Sequence, residues 1–169
     1  GIQNTLIGGL AGDANTTGGQ NVALGYLALS AEDTGSRNIA IGERALTNQN
    51  YDGAAHNVAI GHDAGKNVTT GVQNTLLGGL AGDALTTGSE NVAIGYLALS
   101  AEDGHGPNVA IGNHALKVLN AGASGGNVAV GYYAGVALST GVQNTIIGSE
   151  AGDALTTGDN NIIIGYTAA

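Results

Sequence analysis

An asparagine that returns at near-constant spacing constrains this chain more than any other feature. Asn4, Asn21, Asn38, Asn57, Asn74, Asn91, Asn108, Asn127, Asn144 and Asn161 form one column, most consecutive members being 17 positions apart, with two wider steps of 19 from Asn38 to Asn57 and from Asn108 to Asn127. Each is followed four positions later by Gly (Gly8 in the first copy, Gly165 in the last) and seven later by Ala (Ala11 to Ala168), and Ile, Leu or Val always precedes the Gly. A unit this short cannot close a core of its own. Such a fixed short period predicts a solenoid in which each coil buries its apolar side against its neighbours.

A longer period is superimposed on the first. The opening Gly1-Ile2-Gln3-Asn4-Thr5-Leu6 returns as Gly71-Val72-Gln73-Asn74-Thr75-Leu76 and again from Gly141 to Ile146. Tyr26, Tyr96 and Tyr166 keep the same interval, as do Asp13, Asp83 and Asp153. The duplicated unit is four coils, the third of them the longer kind, giving super-repeats 1–70, 71–140 and a partial 141–169 within one repeat domain, 1–169. Such duplication lengthens an object at constant cross-section. Opening at a repeat boundary and stopping inside the tenth coil, the chain reads as an excerpt from a longer fibre.

Within a coil, Val22 and Leu24 alternate with Asn21, Ala23 and Gly25, the period-2 pattern of a short strand. The expectation is that Val22 and Leu24 fill a thin lumen while Ala23 and Gly25 form a small outer face suited to chain packing. On that reading Leu6, Leu76 and Ile146 thicken every fourth coil on the outside, and Ile162-Ile163-Ile164 is bulky on both faces. The second arm, from Tyr26-Leu27 to the fixed Ala28, is either a short strand or a helical turn, with the variable pair (Glu43-Arg44, His62-Asp63, Asn113-His114, Ser149-Glu150) facing solvent. A Gly three before the Asn in seven coils (Gly1, Gly18, Gly35, Gly71, Gly88, Gly141, Gly158) is expected to supply positive φ for re-entry into the next strand. The extra residues of the two longer coils fall in the closing segment, around Asn48 to Gly53 and Val118 to Gly122, about 19 Å apart at roughly 4.8 Å per coil.

Composition narrows function. Thirty-one glycines and six tyrosines, with no Phe or Trp, suit a thin lumen and not a large core. Four basic against 13 acidic residues give a net charge of −9, which offers nothing to phosphate, so nucleic acid is excluded as a partner and an anionic membrane surface with it. No apolar run approaches the roughly 20 residues that span a bilayer, so membrane insertion is not expected. There are no cysteines, hence no disulfides or thiolate metal sites.

The residues with chemical potential mostly have a structural explanation. The asparagine column predicts either a side-chain amide ladder from coil to coil or a series of turn caps. Tyr26, Tyr96, Tyr132 and Tyr166 share one column, with Tyr133 beside it and Tyr51 in the first insertion; their rings suit contact with a glycan or with a neighbouring chain. His56, His62, His105 and His114 occupy no common column and read as solvated surface. Gly12-Asp13, Gly82-Asp83 and Gly152-Asp153 read as turn caps, four coils apart in one chain where a calcium site needs about six to eight converging oxygens. Glu32-Asp33 and Glu102-Asp103 read as solvated acidic turns. Thr16-Thr17, Thr69-Thr70, Thr86-Thr87 and Thr156-Thr157 recur at unequal intervals and build no continuous threonine array. Neither metal nor cofactor is expected.

The motif Asn-Val-Ala-Ile-Gly-x-x-Ala, at Asn57 to Ala64, Asn91 to Ala98 and Asn108 to Ala115, resembles the head repeat of trimeric autotransporter adhesins. The shorter form of the coil, closing on Thr-Thr-Gly, is similar to repeat arrays in phage tail-fibre proteins. These resemblances imply a left-handed β-roll stacked side by side as a homotrimer, and an extracellular place on a virion tail fibre or a bacterial cell surface. The adhesin-head coil is typically shorter than the coil here, so handedness and trimer geometry do not transfer. Ile60-Gly61-His62-Asp63-Ala64-Gly65 also resembles the hexapeptide of left-handed β-helix acyltransferases, but it occurs once per coil here against three times there. The expectation is therefore an all-β solenoid or β-roll of ten coils, a structural and adhesive fibre segment with itself and a host-surface glycan as partners, and no enzyme.

Overall fold

The structure is a computed structural model describing residues 1–122 and 125–169. Ten three-residue strands follow in order: β1 (Thr5–Ile7), β2 (Val22–Leu24), β3 (Ile39–Ile41), β4 (Val58–Ile60), β5 (Thr75–Leu77), β6 (Val92–Ile94), β7 (Val109–Ile111), β8 (Val128–Val130), β9 (Thr145–Ile147) and β10 (Ile162–Ile164). They form one parallel sheet in sequence order, each in register with the next, so that Ala23 sits over Ala40 and Leu24 over Ile41. The described residues contain no helix. The protein is an all-β solenoid, one rung per asparagine.

The second arm of each rung is a stack of turns. Ala11 N–H donates to Gly8 O and Asn15 N–H to Gly12 O, closing two successive turns in the first rung. Rungs then bond through these turns, with Leu27 N–H donating to Gly9 O at 3.0 Å and Gly12 N–H to Ala28 O at 2.9 Å. The first turn needs positive φ at its third residue, and Leu10, Leu27, Arg44 and His114 adopt it, with φ of 58, 56, 57 and 61°.

The strand faces are reversed relative to the sequence expectation. Ala23, Ala40, Ala59, Ala93, Ala110 and Ala129 point inward and are fully buried, while Leu24 is 42% exposed and Val22 half-buried. Period 2 places Asn21, Ala23 and Gly25 on one side, and the asparagines decide which side that is. A buried amide is tolerated only with its hydrogen bonds made, and the neighbouring rung supplies them; Ala goes inside with Asn, and the branched aliphatics go out. An outer Ala/Gly packing face therefore does not exist.

Leu76 and Ile146 likewise lie inside, fully buried, where an outward position was expected. The lumen compensates at the position eight after each Asn. Of the six rungs with Ala on the strand, four carry Leu29, Leu46, Leu99 or Leu116 there. The other two carry Gly65 and Gly135, where a Cβ would lie 2.5 Å from Leu76 Cδ1 and 2.9 Å from Ile146 Cδ1 of the following rung, and the rungs of Leu6, Leu76 and Ile146 carry Gly12, Gly82 and Gly152. A Cβ on Gly82 would lie 2.8 Å from both Leu76 Cδ2 and Leu85 Cδ1, so one large residue excludes another. Close packing of a lumen this narrow sets the longer of the two periods. In β10, Ile163 points inward at 9% exposure while Ile162 and Ile164 face out, bulky on both faces as expected.

The glycines three before seven of the asparagines also have a different cause. Gly18, Gly71 and Gly141 lie outside the left-handed region, and positive φ falls on Gln3, Gln20, Gln73 and Gln143, immediately before the Asn. Glycine is required because a Cβ would collide with the carbonyl oxygen of the equivalent glycine one rung on, Gly35, Gly88 and Gly158 in turn.

Candidate functional site

The asparagine column is an interior hydrogen-bonded spine. Asn74 Oδ1 accepts from Asn91 N–H at 3.0 Å, its Nδ2 donates to Gly88 O at 2.9 Å, and its own N–H donates to Asn57 Oδ1 at 2.9 Å. The Oδ1 bond runs unbroken from Asn4 to Asn161. From Asn91 to Asn161 a direct amide bond joins it, closing from 3.4 Å at Asn108 to 2.9 Å at Asn161. With its amides turned inward, the column presents no group to a ligand.

The outward strand residues form a second feature. Seventeen of the twenty outer positions in the sheet are Val, Leu or Ile, and Thr5, Thr75 and Thr145 are the other three. Ile7, Leu24, Ile39, Ile60, Ile147, Ile162 and Ile164 each expose more than a third of their surface. No charged residue interrupts the face along ten rungs, about 43 Å between the outermost strands at roughly 4.8 Å each. An exposed apolar surface this continuous marks an interaction site.

A third feature lies beyond the strand, past the glycine that ends it. Tyr96 meets His114 edge-on with centroids 5.7 Å apart, His114 stacks on Tyr133 at 4.7 Å and 23°, and Tyr133 lies 4.4 Å from Tyr132. Tyr96 and Tyr132 are each about half exposed, at 48% and 51%. Desolvation first and Lys117 second hold the His114 imidazole below its ordinary value, while desolvation and then Tyr133 push the Tyr132 phenol up. Tyr26 and Tyr166 are exposed in the same column without aromatic neighbours among the described residues; Tyr51 lies in the insertion loop, its ring against Gly53.

The glutamates of the acidic pairs are not solvated, although Asp103 is exposed and Asp33 half-buried. Glu32 and Glu102 are fully buried, eleven positions after their asparagines, in a column whose other buried members are Gln49, Val68, Leu85, Leu119 and Leu138. Glu32 accepts from Gly35 N–H at 2.7 Å and Tyr51 N–H at 3.4 Å; Glu102 accepts from His105 N–H at 3.1 Å and Ala121 N–H at 3.3 Å. Each carboxylate thus anchors the insertion of the next rung. His105 Nδ1 lies 3.1 Å from Glu102 Oε1, and with Asp103 these ligand-type atoms fall within 4.8 Å of one another. The Glu102 oxygens are already engaged by two backbone donors, which explains the cluster as loop anchoring. This inward column was legible in the sequence at a fixed offset from the asparagine. Asp63, in a variable pair, is also nearly buried, held by Arg44 Nε at 2.7 Å and Nη2 at 2.9 Å.

Together these features define a parallel β-solenoid with a polar spine inside and an uncovered aliphatic sheet outside. No family model, curated protein or solved structure matches the chain.

Proposed function

We propose that the chain is a structural and adhesive segment of an extracellular fibre, in which copies lie side by side with their aliphatic sheet faces turned together, three to a rod. One observation carries this reading: an uninterrupted outer face of branched aliphatics on ten in-register strands. A partner for such a face must be apolar and repeat at the same rise along its length. A second copy of this chain meets both conditions.

The magnitude is sufficient. Full burial of a Val, Leu or Ile contributes about 1.5–3 kcal/mol, so covering the exposed part of seventeen contributes on the order of 10–20 kcal/mol per chain. Association costs about 4–15 kcal/mol in lost freedom and ordering. The phage tail fibre is the setting favoured by the Thr-Thr-Gly close of the coils, and host-surface glycan is the fitting partner for the exposed tyrosines. The interior spine serves stiffness and performs no chemistry.

Light scattering on the chain tests the assembly. Three times the 16.4 kDa chain mass is expected, falling to one chain when Leu77→Asp and Ile94→Asp place charges on adjacent outer positions. A monodisperse wild-type monomer at micromolar concentration overturns the reading.

A further inference from the structure

The two complete super-repeats place different chemistry at equivalent positions on two successive rungs. In the first, Arg44 and Asp63 close a cross-rung ion pair beside the exposed His62. In the second, the equivalent positions hold His114, Tyr133 and Tyr132. The His114–Tyr133 stack takes over the cross-rung contact that the ion pair makes in the first unit. Tyr132 inherits the place of an exposed histidine, and the fold has no need of an aromatic ring there. Tyr96 rests over Gly79 of the preceding rung, where a Cβ would be in ordinary contact with the ring at 3.5 Å.

We propose that Tyr96, His114, Tyr132 and Tyr133 form a stacking platform for a neutral hexopyranose chain lying along the rod. The inference rests on the adhesive reading and gives it a ligand class. Aromatic rings offer an apolar surface to the C–H faces of sugar rings, and tyrosine adds a hydroxyl at little conformational cost. The tract crosses three successive rungs, so it presents an extended surface. Asn113 and Glu150 flank the rings and supply polar partners for sugar hydroxyls. Glu150 lies beside Tyr132 and the chain carries a net −9, so an acidic polysaccharide is disfavoured. The column of Tyr96 and Tyr132 reads Gly79, Tyr96, Asn113, Tyr132, Ser149 along successive rungs. That mixture breaks the apolar continuity a chain-to-chain seam requires, and the platform is confined to one super-repeat.

Saturation-transfer NMR with maltohexaose and cellohexaose, and with an oligogalacturonate as the acidic control, tests the platform. Saturation is expected on ring C–H protons of a neutral oligosaccharide and not on the acidic one. The pair Tyr96→Ser and Tyr132→Ser is expected to weaken binding at least about ten-fold, whereas Tyr26→Ser leaves it unchanged and none of these variants alters the particle mass. Three outcomes overturn the proposal: no transfer to either neutral sugar, equal loss with Tyr26→Ser, or a fall in particle mass with Tyr96→Ser and Tyr132→Ser, which would assign the rings to a chain contact. Sugar binding by a wild-type monomer would overturn the assembly reading alone.

Discussion

Replacing Asn74 by Ala removes one rung's connection in the interior spine, and the size of the effect follows from which partners are stranded. Asn91 N–H and Gly88 O both lose their bonds to the Asn74 side chain, and both residues are buried. A buried donor or acceptor left unpaired costs about 1–3 kcal/mol, so Asn74→Ala is expected to destabilise by about 2–6 kcal/mol. Asn38 supplies the internal comparison, because its Oδ1 accepts from Asn57 N–H at 3.2 Å while its Nδ2 has no partner. Asn38→Ala strands one group instead of two and should cost about 1–3 kcal/mol. At about 2–4 °C per kcal/mol for a chain of this length, thermal melts followed by circular dichroism separate the two variants. Hydrogen exchange should show faster opening of Asn91 N–H in the first and of Asn57 N–H in the second. Equal melting shifts, or a loss below about 0.5 kcal/mol at Asn74, the size of an ordinary surface change, would refute the spine as a source of stability.

Two further predictions concern the lumen. Gly82→Ala places a Cβ against Leu76 and Leu85 at a φ of +57° and should cost about 2–4 kcal/mol from overpacking and left-handed strain; combined with Leu76→Ala, urea denaturation should show the pair less destabilised than the sum of the single changes. Burial raises the Glu32 carboxyl above its ordinary 4.5, against the opposing Gly35 and Tyr51 N–H bonds, so its contribution to stability is fully present below its unfolded value and is lost as pH rises through the folded one. The melting temperature of wild type relative to Glu32→Gln should therefore climb as pH is lowered from neutral toward that value, and a flat or reversed difference would contradict the burial argument.

The architecture was legible because the repeat is a property of covalent spacing: ten asparagines in register leave few alternatives to a stack of rungs. The direction of the faces was not legible from alternation alone. Period 2 separates Val22 and Leu24 from Asn21 and Ala23 equally well whichever set is inside. What decides is the cost of an unpaired amide, and the partners that remove this cost belong to the next rung, not to the local sequence. Size compensation between Leu76 and Gly82, or Ala93 and Leu99, carried the same information, since only residues sharing one narrow space need to trade volume.

Glu32 and Glu102 illustrate the converse. Charge and a neighbouring Asp favour a solvated turn, yet their offset from the asparagine is that of Leu85 and Leu138, and position outweighs residue type once two backbone N–H groups are at hand. The tyrosine column was readable as a column. The convergence of His114 and Tyr133 with it depends on two rungs meeting through a left-handed turn residue, which no linear period reveals.

Because the chain has no cysteine, single thiols test the orientation of the sheet and its contact with other copies together. On mild oxidation, Ile94→Cys, at an outward position, should link chains into covalent dimers, and Ala93→Cys, inside the lumen, should remain unlinked and unreactive toward a thiol reagent until the protein is unfolded. Cross-linking through residue 93, or a freely reactive but never cross-linked residue 94, would contradict the account.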